Sequence, residues 1–200
     1  MLKQFAAIAL LGLSASAMAG QFQVKVGVSG ISPTGDYNLA GAGTVKADNE
    51  FAFTPSVEYF YNDYLSAELL LATPISHEVL LNDGKVAKVK HLPPTLTAKY
   101  HFKNATRFTP YVGVGGTAFV AWDESGVATD VKESFGFAGQ VGFNFQPADA
   151  KNWGVFFDAR YAQISPEVTL DKATADATGV KKFDLDIDPM VYTLGYSYKF

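Results

Sequence analysis

A period-two alternation of apolar and polar residues recurs in eight segments and limits the chain to β-strands with two unlike faces. In the last segment every second residue from Met190 to Phe200 is apolar or aromatic, and those between are mostly small or polar. Each segment has about 10 residues, the length that a tilted strand needs to cross a bilayer. We place the segments at 21–31, 51–61, 65–75, 92–102, 108–122, 135–145, 153–164 and 190–200.

The connections between these segments are alternately long and short. Short connections such as Asn62-Asp63 and Lys103-Asn104-Ala105 carry tight-turn residues, whereas the long ones are polar and rich in glycine, threonine or acidic residues. Outer-membrane barrels have short periplasmic turns and longer extracellular loops. The pattern therefore predicts an all-β fold, an eight-stranded antiparallel up-and-down transmembrane β-barrel with four longer extracellular loops.

The first residues have the layout of a secretory signal peptide. Lys3 precedes an apolar run from Phe5 to Leu13, and small residues follow as far as Ala19. We expect a signal peptide over residues 1–19 and one barrel domain over residues 20–200. An exported chain with 0 cysteines has no disulfide framework, and a net charge of −4 indicates no nucleic-acid partner.

The charged residues of the segments lie on the face opposite the aromatic residues. A lipocalin-like barrel would bury the aromatic face, whereas a membrane barrel would turn it toward lipid. Alternation alone does not decide between the two. Export, the aromatic last strand and the absence of cysteine favour the membrane barrel, with the charges directed into the lumen.

Six of the inward charges fall at a similar height above the short turns, and we predict that they form a belt of mixed sign. An eight-stranded barrel has an interior only just wide enough for its own side chains, so such a belt would block straight passage. A polar core without transport function is the alternative interpretation. The belt residues are Lys25, Glu58, Glu68, Lys99, Asp158 and Arg160.

Above the belt, small inward residues predict room for a pocket, although glycines equally serve strand curvature. Proline removes a donor from the strand ladder, so Pro93 and Pro94 mark a possible lateral exit. The predicted pocket lining is Phe60, Leu70, Thr95, Gly113, Gly115, Phe119, Gly136 and Ala138.

Several short motifs resemble the OmpW/AlkL family of outer-membrane proteins. They are Ala72-Thr73-Pro74 followed by His77, the run His91 to Leu96, the run Pro110 to Gly115, the run Gly139 to Gly142, and Asp188-Pro189. The resemblance implies a monomeric barrel of the cell outer membrane that passes small hydrophobic molecules. In such a protein an extracellular funnel feeds a narrow lumen, and the cargo leaves sideways into the bilayer.

A second function shares all of these features. A non-transporting structural or receptor protein with a plugged lumen would have the same sequence pattern. His77, His91 and His101 stand in no nucleophile motif and lack metal-ligand spacing, so we expect no enzyme activity, metal or cofactor. The expected partners are outer-membrane lipids, lipopolysaccharide, the barrel-assembly machinery through the C-terminal strand, and small hydrophobic solutes.

Overall fold

The computed structural model describes residues 21–39, 43–73, 75–82 and 84–200, with only the backbone described for residues 39, 75–77 and 122–124. The predicted signal peptide, residues 1–19, lies outside the described residues. The strands in these ranges are β1 Phe22–Ser32, β2 Tyr37–Leu39, β3 Gly43–Ala47, β4 Glu50–Phe60, β5 Leu65–Leu70, β6 Ile75–Leu81, β7 Gly84–Leu92, β8 Thr95–His101, β9 Phe108–Gly126, β10 Ala128–Val131, β11 Ser134–Phe145, β12 Trp153–Ala162, β13 Glu167–Leu170, β14 Lys182–Asp184 and β15 Met190–Lys199. The described residues also include the helix α1, Lys172–Thr178.

Eight of these strands form a closed antiparallel barrel. Their order around the wall is β1, β4, β5, β8, β9, β11, β12 and β15, and β15 pairs back onto β1. The closing register places Val26 opposite Tyr196 and Val28 opposite Leu194. Closure satisfies the backbone groups that an open sheet edge would expose to lipid. The predicted eight-stranded up-and-down barrel is confirmed.

Burial alternates along the barrel strands, and the charged face is the buried one. Lys25 and Glu58 are 0% exposed, whereas Phe51 and Phe135 are 81% and 82% exposed. The aromatic and aliphatic face therefore points outward over most of the wall. This confirms the lipid-facing arrangement and excludes the lipocalin-like one.

Strands extend well beyond the barrel at the end that carries the long connections, where loops were predicted. β9 runs for 19 residues and pairs first with β8 and then with β7. The hairpin of β6 and β7 continues β5 and β8 outward, and β10, β13 and β14 form a separate three-stranded sheet. The predicted long connections therefore contain regular β-structure, because these segments pair with one another across strands.

An apolar core lies inside this extension. Buried side chains from β3, β7, β9, β13 and β14 pack together there, including Val45, Val89, Phe119, Val168 and Phe183. The extension is thus held by its own hydrophobic contacts above the polar lumen. No helix among the described residues is long and apolar enough to cross a membrane.

Candidate functional site

The lumen near the short-turn end holds one buried ion-pair network, which we call the charged cluster. The structure brings together all six residues of the predicted belt. Glu58 Oε2 lies 2.6 Å from Lys25 Nζ and 3.1 Å from Lys99 Nζ. Glu68 accepts from Lys99 at 3.0 Å and lies 3.5 Å from Arg160, whose Nε is 3.4 Å from Asp158 Oδ1.

Neutral side chains complete the cluster, and the sequence prediction did not include them. Ser66 Oγ donates to Glu58 at 2.5 Å, Ser56 Oγ donates to Glu68 at 2.6 Å, and Tyr111 Oη donates to Asp158 at 3.0 Å. Gln140 donates to Glu68 at 3.2 Å and accepts from Arg160. All of these residues lie on the lumen-facing side of their strands. The alternation in the sequence places them on the same face as the charged residues, and this pattern is the feature from which they could be predicted.

The side chains of the cluster pack closely against one another. Lys99 Nζ lies 3.8 Å from the centroid of the Tyr111 ring, a cation–π contact. A Cβ added at Gly113 would lie 2.8 Å from Gln140 Cγ and 3.0 Å from Lys99 Cγ. Gly113 therefore makes room for cluster side chains, and the prediction that it lines a pocket above them was wrong.

An inner cavity of about 40 Å³ lies directly above the charged cluster. Arg160 lines it from the cluster, and three residues of the predicted pocket, Leu70, Thr95 and Phe119, line it as well. Pro93 also lines it, next to Ala72. The inner cavity thus lies against the part of the wall where β5 and β8 end.

An outer cavity of about 80 Å³ lies within the apolar core of the long-loop end. Aliphatic side chains such as Val45, Val89 and Leu185 make up most of its lining. Three residues, His91, Phe119 and Ile187, line both cavities. The rings of His91 and Phe119 have centroids 4.6 Å apart, so this pair forms the constriction between the two spaces.

The structure corrects four further assignments to the pocket. Phe60 lies on the other side of the charged cluster, near the short turns, because its strand ends there. A Cβ on Gly115 would overlap the carbonyl oxygen of Leu96, and one on Gly136 would overlap that of Gln163. These two glycines permit close approach of neighbouring backbones. Ala138 is 0% exposed and lines neither the inner nor the outer cavity.

The wall beside the inner cavity has a gap in its strand pairing. The β5–β8 ladder ends at the pair Leu70–Thr95, and pairing resumes between β6 and β7 at Ile75–His91. Pro93 and Pro94 fall between the two ladders and carry no backbone N–H. Among the described residues no pair joins 71–73 to 92–94. We call this interval the lateral gap.

The strands on either side of the lateral gap remain bonded to their other neighbours. The Leu71 and Thr73 amides donate to the Pro55 and Phe53 carbonyls of β4, at 2.9 and 2.8 Å. The Ala118 amide of β9 donates to the Pro94 carbonyl at 3.0 Å. The interruption is therefore confined to a single seam of the barrel.

The described part of the chain contains no group of three or more histidine, cysteine or acidic residues able to hold a metal ion. The profile of the OmpW family matches residues 18–200. The chain belongs to the OmpW family.

The OmpW-family relatives agree with the fold and with an outer-membrane location. Outer membrane protein W of Vibrio cholerae is 33% identical over 201 residues, covering 90% of this chain and 89% of the relative. Outer membrane protein AlkL of Ectopseudomonas oleovorans is 27% identical, covering 83% and 75%. The crystal structure of OprG from Pseudomonas aeruginosa superimposes with a TM-score of 0.77 at 29% identity, covering 91% and 96%. The protein is an outer-membrane β-barrel.

Proposed function

We propose that this protein passes small hydrophobic molecules from the cell exterior into the outer-membrane bilayer through the lateral gap. The short turns would face the periplasm and the long-loop extension the exterior, as in other outer-membrane barrels. The observation that carries the proposal is the position of the inner cavity: the charged cluster lies below it and the lateral gap lies beside it.

The apolar lining defines the chemistry of the cargo. No polar surface is exposed in the outer cavity, so polar solutes would lose their hydration there without gaining hydrogen bonds. An alkyl or aromatic molecule has no such cost and gains contact with Val45, Val89 and Leu185. From there it would pass His91 and Phe119 to reach the inner cavity.

The charged cluster prevents the cargo from continuing to the periplasm. Its six charges comprise three cations and three anions, each held by at least one partner of opposite sign. An apolar molecule entering it would separate these charges in a buried site, where uncompensated charge is costly. Lateral movement toward lipid meets no comparable barrier.

The lateral gap supplies an exit with few backbone bonds to break. On the inner side it is lined by Leu70, Ala72 and Pro93, and on the outer side Leu71 and Leu96 are 40% and 58% exposed. An apolar path therefore runs from the lumen to the lipid-facing surface. Because the two cavities measure about 80 and 40 Å³, below the 300 Å³ or more of typical ligand sites, passage also requires side chains to move aside.

The test is uptake of a fluorescent alkane analogue by cells that lack the native protein and express variants in the outer membrane. Ala72→Trp places an indole against the gap from the inner cavity, and we expect uptake to fall at least about tenfold. Ala67→Trp, on the preceding strand β5, where it lies opposite Ala98 and away from the gap, is the control. Normal uptake by a folded Ala72→Trp protein would contradict the lateral route.

We further infer that the barrel works as a monomer without a catalytic step. The outward aromatic residues of β15, Tyr192, Tyr196 and Tyr198, are 49%, 63% and 48% exposed, which supports contact with lipid and recognition of this strand by the barrel-assembly machinery. Contact with lipopolysaccharide would involve the outer half of the wall. If the uptake test shows no transport by the unmodified protein, a structural or receptor role becomes the better account.

A further inference from the structure

A third cavity, of about 450 Å³, occupies the mouth of the barrel at the short-turn end, and we call it the vestibule. Inward residues of the wall and the turns at 103–107 and 146–152 line it. Phe60 and His101 form its inner limit, and His101 Nε2 lies 2.9 Å from Glu58 Oε1. The vestibule is thus separated from the two apolar cavities by the whole charged cluster.

The charges around the vestibule are all of one sign. Lys103, Arg107, Lys151 and Lys199 line it, and no aspartate or glutamate does. None of these four cations has an ion-pair partner within the described chain. In the charged cluster, by contrast, each cation is paired with a carboxylate. The lining of the vestibule therefore carries an excess of positive charge that the neighbouring cluster does not.

The position of Lys199 indicates that the charge is directed into the cavity. Its Nζ lies 4.1 Å from the centroid of the Phe60 ring at the inner limit, a cation–π contact that holds the ammonium group inward. Lys199 also interacts electrostatically with Lys103, which repels it, and with Asp63 and Glu58, which attract it but do not line the vestibule. A bound anion would relieve this repulsion among neighbouring cations.

We propose that the vestibule binds a water-soluble oxyanion, a molecule carrying a phosphate or carboxylate group. Arg107 offers the planar donor pair that suits such groups, and the lysines add point charges around it. Amide side chains, among them Gln23 and Asn144, offer further donors at the wall. Both polar and apolar side chains line the vestibule, which suits a hydrated ligand rather than the apolar cargo proposed above.

The same phosphate chemistry is available from a soluble phosphate ester and from a phospholipid headgroup at the barrel rim. We favour the soluble source because the four cations line a cavity in the mouth of the barrel, away from the lipid-facing surface of the wall. Binding in the vestibule does not depend on hydrophobic transport, so either proposal can fail alone. In the orientation proposed above, the short turns face the periplasm, so the ligand of the vestibule is a periplasmic solute.

The test is NMR titration of the refolded protein in zwitterionic micelles with inorganic phosphate, with chloride at equal ionic strength as the reference. We expect saturable shifts of the amides in 103–107 and 146–152. The double variant Arg107→Gln/Lys151→Gln should weaken binding at least about tenfold. Lys88→Gln/Lys181→Gln removes the same charge from exposed positions at the long-loop end and should bind phosphate normally.

Nanodiscs distinguish the two sources. Shifts produced by phosphate in phosphatidylcholine nanodiscs support the soluble ligand. If phosphatidylglycerol nanodiscs alone shift these amides, and phosphate does not, the soluble-ligand proposal is wrong and the cations bind a lipid headgroup. Equal phosphate binding by the two double variants, or no saturable shift with phosphate, would also overturn it.

Discussion

Lys25 Nζ and Glu58 Oε2 lie 2.6 Å apart inside the barrel, and both side chains are completely buried. Each has a further partner, since Lys25 also lies 3.4 Å from Glu68 and Glu58 also binds Lys99. A buried charge is tolerated only when it is paired and its remaining hydrogen bonds are satisfied. Because neighbouring ion pairs share these side chains, the cluster is one connected network inside the barrel.

Removing one carboxylate from this network should destabilise the protein strongly. Glu58→Gln leaves Lys25 and Lys99 sharing only Glu68, and we expect a loss of about 3–5 kcal/mol in the free energy of unfolding. Urea unfolding of the refolded protein in lipid vesicles measures it. Glu133→Gln, an exposed residue after β10, is the control and should change stability by less than about 0.5 kcal/mol. A similar small effect for Glu58→Gln would contradict the role of the cluster.

The close packing of β8 against β9 depends on a glycine. Gly115→Ala would place a methyl group on the Leu96 carbonyl, and the resulting backbone shift should cost about 1–3 kcal/mol. Its neighbour Gly116 points outward, and an added Cβ there comes no closer than 3.5 Å to another atom, the Gly136 carbonyl oxygen. Gly116→Ala should therefore be nearly neutral in the same unfolding measurement, and equal losses in the two variants would refute this packing argument.

The constriction between the two apolar cavities should select cargo by width. Phe119→Ala removes one wall of this constriction, so bulky cyclic probes should enter faster relative to a linear alkane analogue. The measurement is the ratio of the two uptake rates in cells. Phe135→Ala, at an 82% exposed position on the outer face, should leave the ratio unchanged. No change in the ratio for Phe119→Ala would place the limiting step elsewhere.

Ion pairs in the long-loop extension predict a local dependence on pH. Hydrogen bonds from Lys132 and Lys182 lower the pKa of the Glu167 carboxyl from 4.5 to about 2. The distances are 2.7 and 2.9 Å, and the three residues join β10, β13 and β14. Because the folded state lowers this pKa, its stabilising contribution is complete above about pH 4.5 and is lost as the pH falls toward 2.

Amide hydrogen exchange, corrected for the intrinsic rate at each pH, tests this dependence. Amides of β13 and β14 should lose protection between pH 5 and pH 3 in the unmodified protein. Glu167→Gln should lower their protection at pH 5 and flatten the dependence. An identical pH response in the variant would show that Glu167 is not responsible.

The barrel and its charged cluster could be predicted because alternation fixes which side chains share a face. Lys25 and Lys99 were assigned to one belt from their faces and their distances to the short turns alone. The face of a side chain does not by itself give its height in the barrel: Phe60 shares the inward face but lies near the short turns, because β4 ends there.

The cavities and the extended hairpins needed the structure. Pairing of β7 with the far half of β9 joins residues about 30 or more positions apart, and nothing local in the sequence indicates that register. The vestibule likewise combines Lys103 and Lys199, which are 96 positions apart in the sequence (199 − 103). The role of a glycine cannot be read from the sequence for a similar reason. Only the position of the neighbouring strand shows whether Gly115 leaves a cavity or allows two backbones to approach closely.

The most direct test of the account is to measure hydrophobic uptake and ionic conductance with the same unmodified protein. The account predicts uptake of the fluorescent alkane analogue by expressing cells together with no resolvable single-channel conductance in planar bilayers, because the charged cluster closes the lumen below the lateral gap. Conductance without hydrophobic uptake would contradict it and make the cluster a selectivity ring for polar solutes.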